Sequence, residues 1–288
     1  MATRRAFGAI PALAVMAIAA VAATMWWRTR PAPRSAEPLS YTAAIRQELF
    51  AEVQPVKVTN CELRRFGEAH DGGYLLCGNL LGAVTAGYSY GISGYDGWGC
   101  EVSRTLHVTV HQYDCFDLRE PSCPAGSTTF HGECVAGMRS VEDGRLFDTM
   151  RAQFVKNGDE NRRLVVKMDV EGAEWDSFLL APDSVFDHID QLQVEFHHVD
   201  DRRYVATMQR LKRFFYVAHV HYNNFSCDPA LTPFPSWAFE ALLVNKRIGM
   251  SDGSPVASGP GPLDAANNPA WADCQAAAHE PGLSRNSQ

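Results

Sequence analysis

The chain of 288 residues has no CxxC pair among its eight cysteines, which removes the usual spacing of a structural zinc site. No G-x-G-x-x-G run is present, so the dinucleotide fingerprint is missing as well. Internal repeats are absent, which argues against solenoids and propellers. Positive charge is scarce outside the first 35 residues. Those carry five arginines and no acid, and the rest holds 21 basic against 33 acidic side chains, a net charge of −12. A body that acidic is repelled by a phosphate backbone, so nucleic acid is not an expected partner.

What remains is ordinary in bulk. Hydrophobic content of 46% and charged content of 20% fit a globular protein of one large domain or two small ones. The N-terminus stands apart. Residues 6–27 form an uncharged stretch flanked by arginines and closed by Trp26 and Trp27, long enough to span a bilayer as a signal-anchor helix. The alanine-rich "AVAAT" within it also suits a cleaved signal peptide. The expected layout is therefore a membrane anchor or signal segment (1–28), a Pro-rich linker (29–40), a folded domain (41–250) and a disordered tail (251–288). In the tail only Trp271 and Cys274 hint at docking. Either reading of the N-terminus puts the body outside the cytosol, membrane-tethered or secreted. Eight cysteines there are compatible with disulfides, one of them local among Cys115, Cys123 and Cys134.

Between linker and tail, apolar segments alternate with helical ones. Strands are expected at 86–92, 107–113, 127–131, 163–169, 191–197, 215–221 and 238–246. Helices are expected at 41–54, 99–106, 144–156, 173–180 and 201–214, the last with Val205, Met208 and Leu211 at helical spacing. This predicts an α/β, doubly wound, mostly parallel seven-stranded sheet with one antiparallel edge strand.

Four places carry candidate chemistry. The loop G91-I-S-G94-Y-D-G97-W-G99 follows a strand and precedes a helix, where Gly91, Ser93 and Gly94 would let a cofactor approach the backbone. Asp114 ends the next strand, 23 residues beyond Gly91, the place of a ribose-binding acid in a doubly wound fold. The stretch VVKMDVEGAEWD ends an apolar strand in Asp169, Glu171, Glu174 and Asp176. Glu174 and Asp176 suit the first turn of a helix, so replacing Glu174 is expected to cost a few tenths to about 1 kcal/mol. Asp169 and Glu171 have no such explanation. Finally, Glu195 and His197 share one strand face, with His198 and Asp200 beyond, and His219, His221, Asn223 and Asn224 end another strand. With Asp169 these could ligate a divalent metal, though no specific motif supports one.

The stretch K167-M-D-V-E-G-A-E174 is similar to the K-[IM]-D-[VIL]-E-G-A-E signature of the FkbM-type S-adenosylmethionine-dependent methyltransferases. Residues 60–248 resemble still more closely a related methyltransferase-domain family that includes animal membrane-anchored methyltransferase-like proteins. The matching pieces are 65–77, 88–103, 110–114, 167–176, 191–198 and 239–246, in the right order. The resemblance implies a seven-stranded class I, Rossmann-like methyltransferase fold. It sets the glycine loop at the methionine part of the cofactor, Asp114 on its ribose, and Asp169 beside the sulfonium and the acceptor. The loop departs from the compact E/D-x-G-x-G-x-G pattern in being longer, with Asp96 inside it.

The expected function is therefore S-adenosyl-L-methionine-dependent O-methylation of a hydroxyl on a glycan or small molecule. Asp169, Glu171, Glu195 and His197 are the expected catalytic residues, and Gly91, Ser93, Gly94, Asp114 and Asp169 the cofactor-binding ones. The alternatives are a membrane-tethered, non-catalytic binding protein on a degenerate methyltransferase fold, or a metal-dependent enzyme built on the strand-end His, Asp and Glu.

Overall fold

The computed structural model describes residues 39–256 and 260–274. Ser40 opens helix α1 (Tyr41–Glu52): its hydroxyl accepts the Ala43 N–H, and Ile45, Leu49 and Phe50 form the buried stripe. A short strand β1 (Val56–Val58) and a hairpin, β2 (Leu63–Gly67) and β3 (Gly73–Cys77), follow. Next come β4 (Ala86–Tyr90), α2 (Gly97–Leu106), β5 (Thr109–Tyr113) and β6 (Ser127–His131). A small sheet of β7 (Cys134–Val135), β8 (Ser140–Glu142) and β9 (Arg145–Asp148) precedes α3 (Met150–Asn157). The second half runs β10 (Leu164–Asp169), α4 (Ala173–Leu180), α5 (Asp183–His188), β11 (Ile189–His197) and α6 (Arg202–Phe214). It closes with β12 (Phe215–Tyr222), β13 (Ala238–Asn245) and β14 (Ser251–Pro255).

Seven strands pair in the order β12-β13-β11-β10-β4-β5-β6. Six run in one direction. β13 is antiparallel to both its neighbours, β11 and β12. The expected antiparallel edge strand is thus second from the edge, and β12 is the edge. The physical reason is burial: every residue of β13 is buried, so it takes a neighbour on each side, whereas β12 keeps partly exposed positions. Helix α2 and the β2–β3 hairpin cover one face of the sheet, while α1, α3, α4, α5 and α6 pack on the other. The sheet is doubly wound. From β4 the chain winds outward through β5 to β6, and from β10 the other way through β11, so the strand order reverses between β4 and β10.

Strand β11 shows why the hairpin matters. Leu192, Val194 and Phe196 enter the helix-covered core, leaving Gln191, Gln193, Glu195 and His197 on the opposite face. All four are buried. The hairpin supplies partners: the Gln191 side chain accepts from Cys77 N (2.8 Å) and donates to Cys77 O (2.9 Å), and Tyr74 reaches Glu195. Buried polar groups are tolerable when so matched; on this face Gln191 and Glu195 are, whereas Gln193 Oε1 has no partner among the described residues.

All seven expected strands are present to within two residues at each end. Two expectations fail. The helix expected at 144–156 starts only at Met150, after its cap Thr149 accepts the Ala152 N–H (3.2 Å). Before it, Asp143–Gly144, both at positive φ, make the turn of a β8–β9 hairpin, the strongest short-range hairpin signal. The tail also departs from expectation. Residues 251–255 pair with β1, and residues 260–274 dock through polar anchors as well as through Cys274, buried in the core, and Trp271, whose ring meets Phe225 as the sequence hinted. Asp264 meets His219 (2.8 Å), Asn267 donates to Glu240 (2.8 Å), and Asn268 N donates to Asn224 (2.7 Å). Hydropathy patterning does not register such anchors.

All eight cysteines are paired: Cys61–Cys77, Cys100–Cys123, Cys115–Cys134 and Cys227–Cys274. The expected span at 6–27, most of the linker and residues 275–288 lie outside the described residues. Among those described, no helix is long and apolar enough to cross a membrane.

Two outcomes follow for the C-terminal segment. The Cys227–Cys274 bond closes the longest loop, 47 residues in sequence separation. Replacing both cysteines by serine should cost about 4 kcal/mol on the chain-entropy scale. Amide exchange in 260–274 should then accelerate far more than in β10 and β11; unchanged protection of 260–274 would reject the strap role. The second outcome concerns pH. Burial opposes charge on His221, but Glu240, Asp264 and Asp273 outweigh it and push its pKa up to about 9. Its contribution is therefore complete below the ordinary 6.5 and disappears as pH rises through about 9. Asp264 is likewise opposed by burial but lowered below 3.8 by its bond to His219, so its contribution is lost as pH falls past that value. Exchange of 260–274, corrected for intrinsic rates, should be slowest between these limits, and a flat profile would contradict both assignments.

Candidate functional site

The glycine loop leaves β4 at Gly91, whose φ of +70° and lack of a side chain let the two central strands meet: a Cβ there would lie 1.6 Å from the Asp169 carbonyl oxygen. Lys167, buried one turn of the pleat before Asp169, donates to the carbonyls of Tyr90 (3.2 Å) and Gly91 (2.7 Å) and lies 3.5 Å from Asp169 Oδ2. Asp96, within the loop, caps α2 by accepting the Gly99 N–H (2.8 Å).

Asp114 sits where expected, at the end of β5, and its carboxylate is fully engaged by the chain. Oδ2 accepts from Ile92 N (3.1 Å) and Ser93 N (2.8 Å), and Oδ1 from Phe116 N (2.8 Å) and Asp117 N (3.0 Å). Four donors use the four lone-pair sites of a carboxylate. Asp114 therefore fixes the glycine loop to the loop after β5. Gly94 lies against the Asp117–Arg119 pair and lines neither cavity at the site.

Two cavities open at the switch point. The larger, about 550 Å³, is walled by Tyr90, Tyr113, Phe116, Val135 and Phe147, with Asp114 and Asp117 at one side. The Tyr90 hydroxyl, buried in this wall, has no partner among the described residues. The smaller, about 320 Å³, lies under the hairpin beside Asp71, Tyr74 and Trp98. Gly91, Ser93, Asp169 and Glu171 line both.

The four expected catalytic residues converge. His197 Nε2 lies 3.5 Å from Glu171, 3.9 Å from Asp169 and 3.9 Å from Glu195. Asp169 accepts from the Tyr74 hydroxyl (3.2 Å), and Glu195 from Asn223 (2.6 Å). Burial first, then the charges of Asp169 and Glu240, push the Glu195 pKa well above the carboxylate range. Burial works against charge on His197, but Glu174, Glu195 and Asp169 outweigh it and raise its pKa to about 9. The pocket thus calls for positive charge at His197. Glu171 is exposed and held at a φ of +55°.

Other expected ligands go elsewhere. His198 stacks on Trp237 and Asp200 pairs with Arg46 (2.7 Å). His219, His221 and Asn224 anchor the C-terminal segment.

Sequence reasoning missed Tyr74, which reaches the site from a distant hairpin and leaves no local signal. It also misjudged Glu174. That side chain is fully buried and accepts from Gly172 N (2.8 Å) and His197 N (2.6 Å), with His197 Nδ1 at 3.2 Å. Only Asp176 is the surface residue expected, paired with Arg203.

No family model, curated protein or solved structure matches the chain.

The expected mild effect of Glu174 is accordingly revised. Glu174→Gln turns an amide toward buried N–H donors and should cost about 3 kcal/mol. Asp176→Asn, at an exposed ion pair, should cost no more than about 1 kcal/mol. Equal losses in a denaturant titration would show that Glu174 ties nothing together.

Proposed function

We propose that this chain is an S-adenosyl-L-methionine-dependent methyltransferase acting on a hydroxyl of a glycan or small molecule. The observation that carries the reading is the pair of cavities sharing Gly91, Ser93, Asp169 and Glu171. A group transfer needs a donor and an acceptor compartment that meet at the reacting atoms, and these meet at the switch point of a doubly wound sheet. The larger cavity has the volume of a cofactor site, with aromatic walls for a purine ring and acids for a sulfonium. The similarity of K167-M-D-V-E-G-A-E174 to the FkbM-type signature supports the same cofactor.

In this reading the acceptor oxygen attacks the methyl carbon in line with the departing sulfur, which keeps the electron pair of the broken bond. Asp169, oriented by Tyr74 and Lys167, faces the sulfonium. The acceptor proton leaves through Glu171, the most exposed carboxylate of the group. The four disulfides support a working place outside the cytosol.

Calorimetry with the two cofactor forms tests this. S-adenosylmethionine and its demethylated product should each bind once per chain. Asp169→Asn should weaken the sulfonium form about tenfold or more, the value of one charged partner, and the neutral thioether far less. Absence of binding, or equal weakening of both forms, would remove the assignment.

A further inference from the structure

We propose that Asp169, Glu171 and His197 bind one divalent cation that accepts mixed nitrogen and oxygen ligands, Zn²⁺ or Mn²⁺, at the junction of the two cavities. One ligand atom from each lies within 4.8 Å of the others. The His197 ring is 5% exposed and makes its close contact through Nδ1, with the buried Glu174. Nε2 forms no hydrogen bond and is turned toward Glu171 at 3.5 Å and Asp169 at 3.9 Å. Those distances exceed the about 2.7–3.2 Å of a hydrogen bond. They approach the separation of about 3.4 Å between two ligands that share an ion at about 2.0–2.1 Å from each.

Glu174 is the second, independent observation. A carboxylate on the far nitrogen of a metal-binding imidazole fixes the ring and its tautomer, and here that carboxylate is itself locked by two backbone N–H groups. An imidazole with two carboxylates favours Zn²⁺ or Mn²⁺ over Ca²⁺ and Mg²⁺, which prefer all-oxygen shells. Its role rests on the methyl-transfer reading. The acceptor hydroxyl coordinates the ion, which acidifies it. Its proton passes to the Glu171 oxygen that is not a ligand, the oxygen–methyl bond forms, and the methyl–sulfur bond breaks with its electron pair going to sulfur.

The test uses the disulfide-intact protein, treated with chelator and dialysed, with Zn²⁺ and Mn²⁺ titrated separately in the absence of S-adenosylmethionine. One ion per chain is expected. Glu171→Gln, at an exposed position that leaves folding intact, and His197→Ala should each weaken binding about tenfold or more. Glu142→Gln, an exposed acid on β8, should not. Absence of stoichiometric binding, or binding that Glu171→Gln leaves unchanged, overturns the proposal. Cofactor binding measured in the presence of chelator separates its failure from that of the methyltransferase reading.

Discussion

A carboxylate sealed from water, that of Glu174, joins the two strands whose ends carry the candidate site. It accepts the Gly172 N–H in the turn after β10 and the His197 N–H at the end of β11, and it fixes the His197 ring. A buried charge is tolerated only when its lone pairs are met by donors, and these donors come from two separate segments. Their relative position is therefore part of the energetic requirement, not a by-product of packing. Glu171 lies in the same turn, so the placement of Glu171 and His197 depends on this one carboxylate, while Asp169 is held by Tyr74 and Lys167.

The site also needs a cover. The polar face of β11 would be costly if left half-wet in a cleft, and the β2–β3 hairpin closes over it with Tyr74 and the Cys77 backbone. The hairpin is in turn tied by Cys61–Cys77 and held from outside by the C-terminal segment, where Asn267 bridges Asp71 and Glu240. Strain gathers where the cover ends. Glu171 and His198, neither a glycine, hold φ values of +55° and +68°, and such conformations persist only where surrounding contacts impose them. Trp237 O accepts the His198 N–H (2.7 Å) and its ring stacks on the imidazole.

The sheet was legible because its inner strands are buried on both faces and read as apolar runs: LVVKMD, AFEALLVN and AGYSY stand out without any alignment. The strand ends were legible for the same reason, since an acid or histidine closing such a run is conspicuous, as with Asp114, Asp169 and His197. What escaped was non-local. Tyr74 is 95 residues from its partner Asp169. The tail is held by side-chain amides and a disulfide, which composition alone presents as loop. Glu174 was misjudged for a local reason. Dipole arguments ask only whether an acid lies in the first turn, while the helical period places Glu174 and Asp176 about 200° apart on the wheel. Glu174 falls on the stripe of buried Ser177 and Phe178, and Asp176 faces Arg203 in solvent.

Two of the places where histidines and acids cluster among the described residues differ in a way that bears on function. His219 meets Asp264 and His221 meets Asp273, which bind the C-terminal segment to the sheet, and the His221–Glu240 contact joins β12 to β13. Neither of the two cavities at the switch point is lined by that cluster, and its charges answer one another. His197 meets Asp169, Glu171, Glu174 and Glu195, and there four acids face two basic side chains, His197 itself and Lys167, the latter 3.5 Å from Asp169. Two cavities open on the surplus. Residue type alone does not separate the clusters; negative charge left uncompensated at the wall of a cavity does, because it attracts a cation from outside the chain.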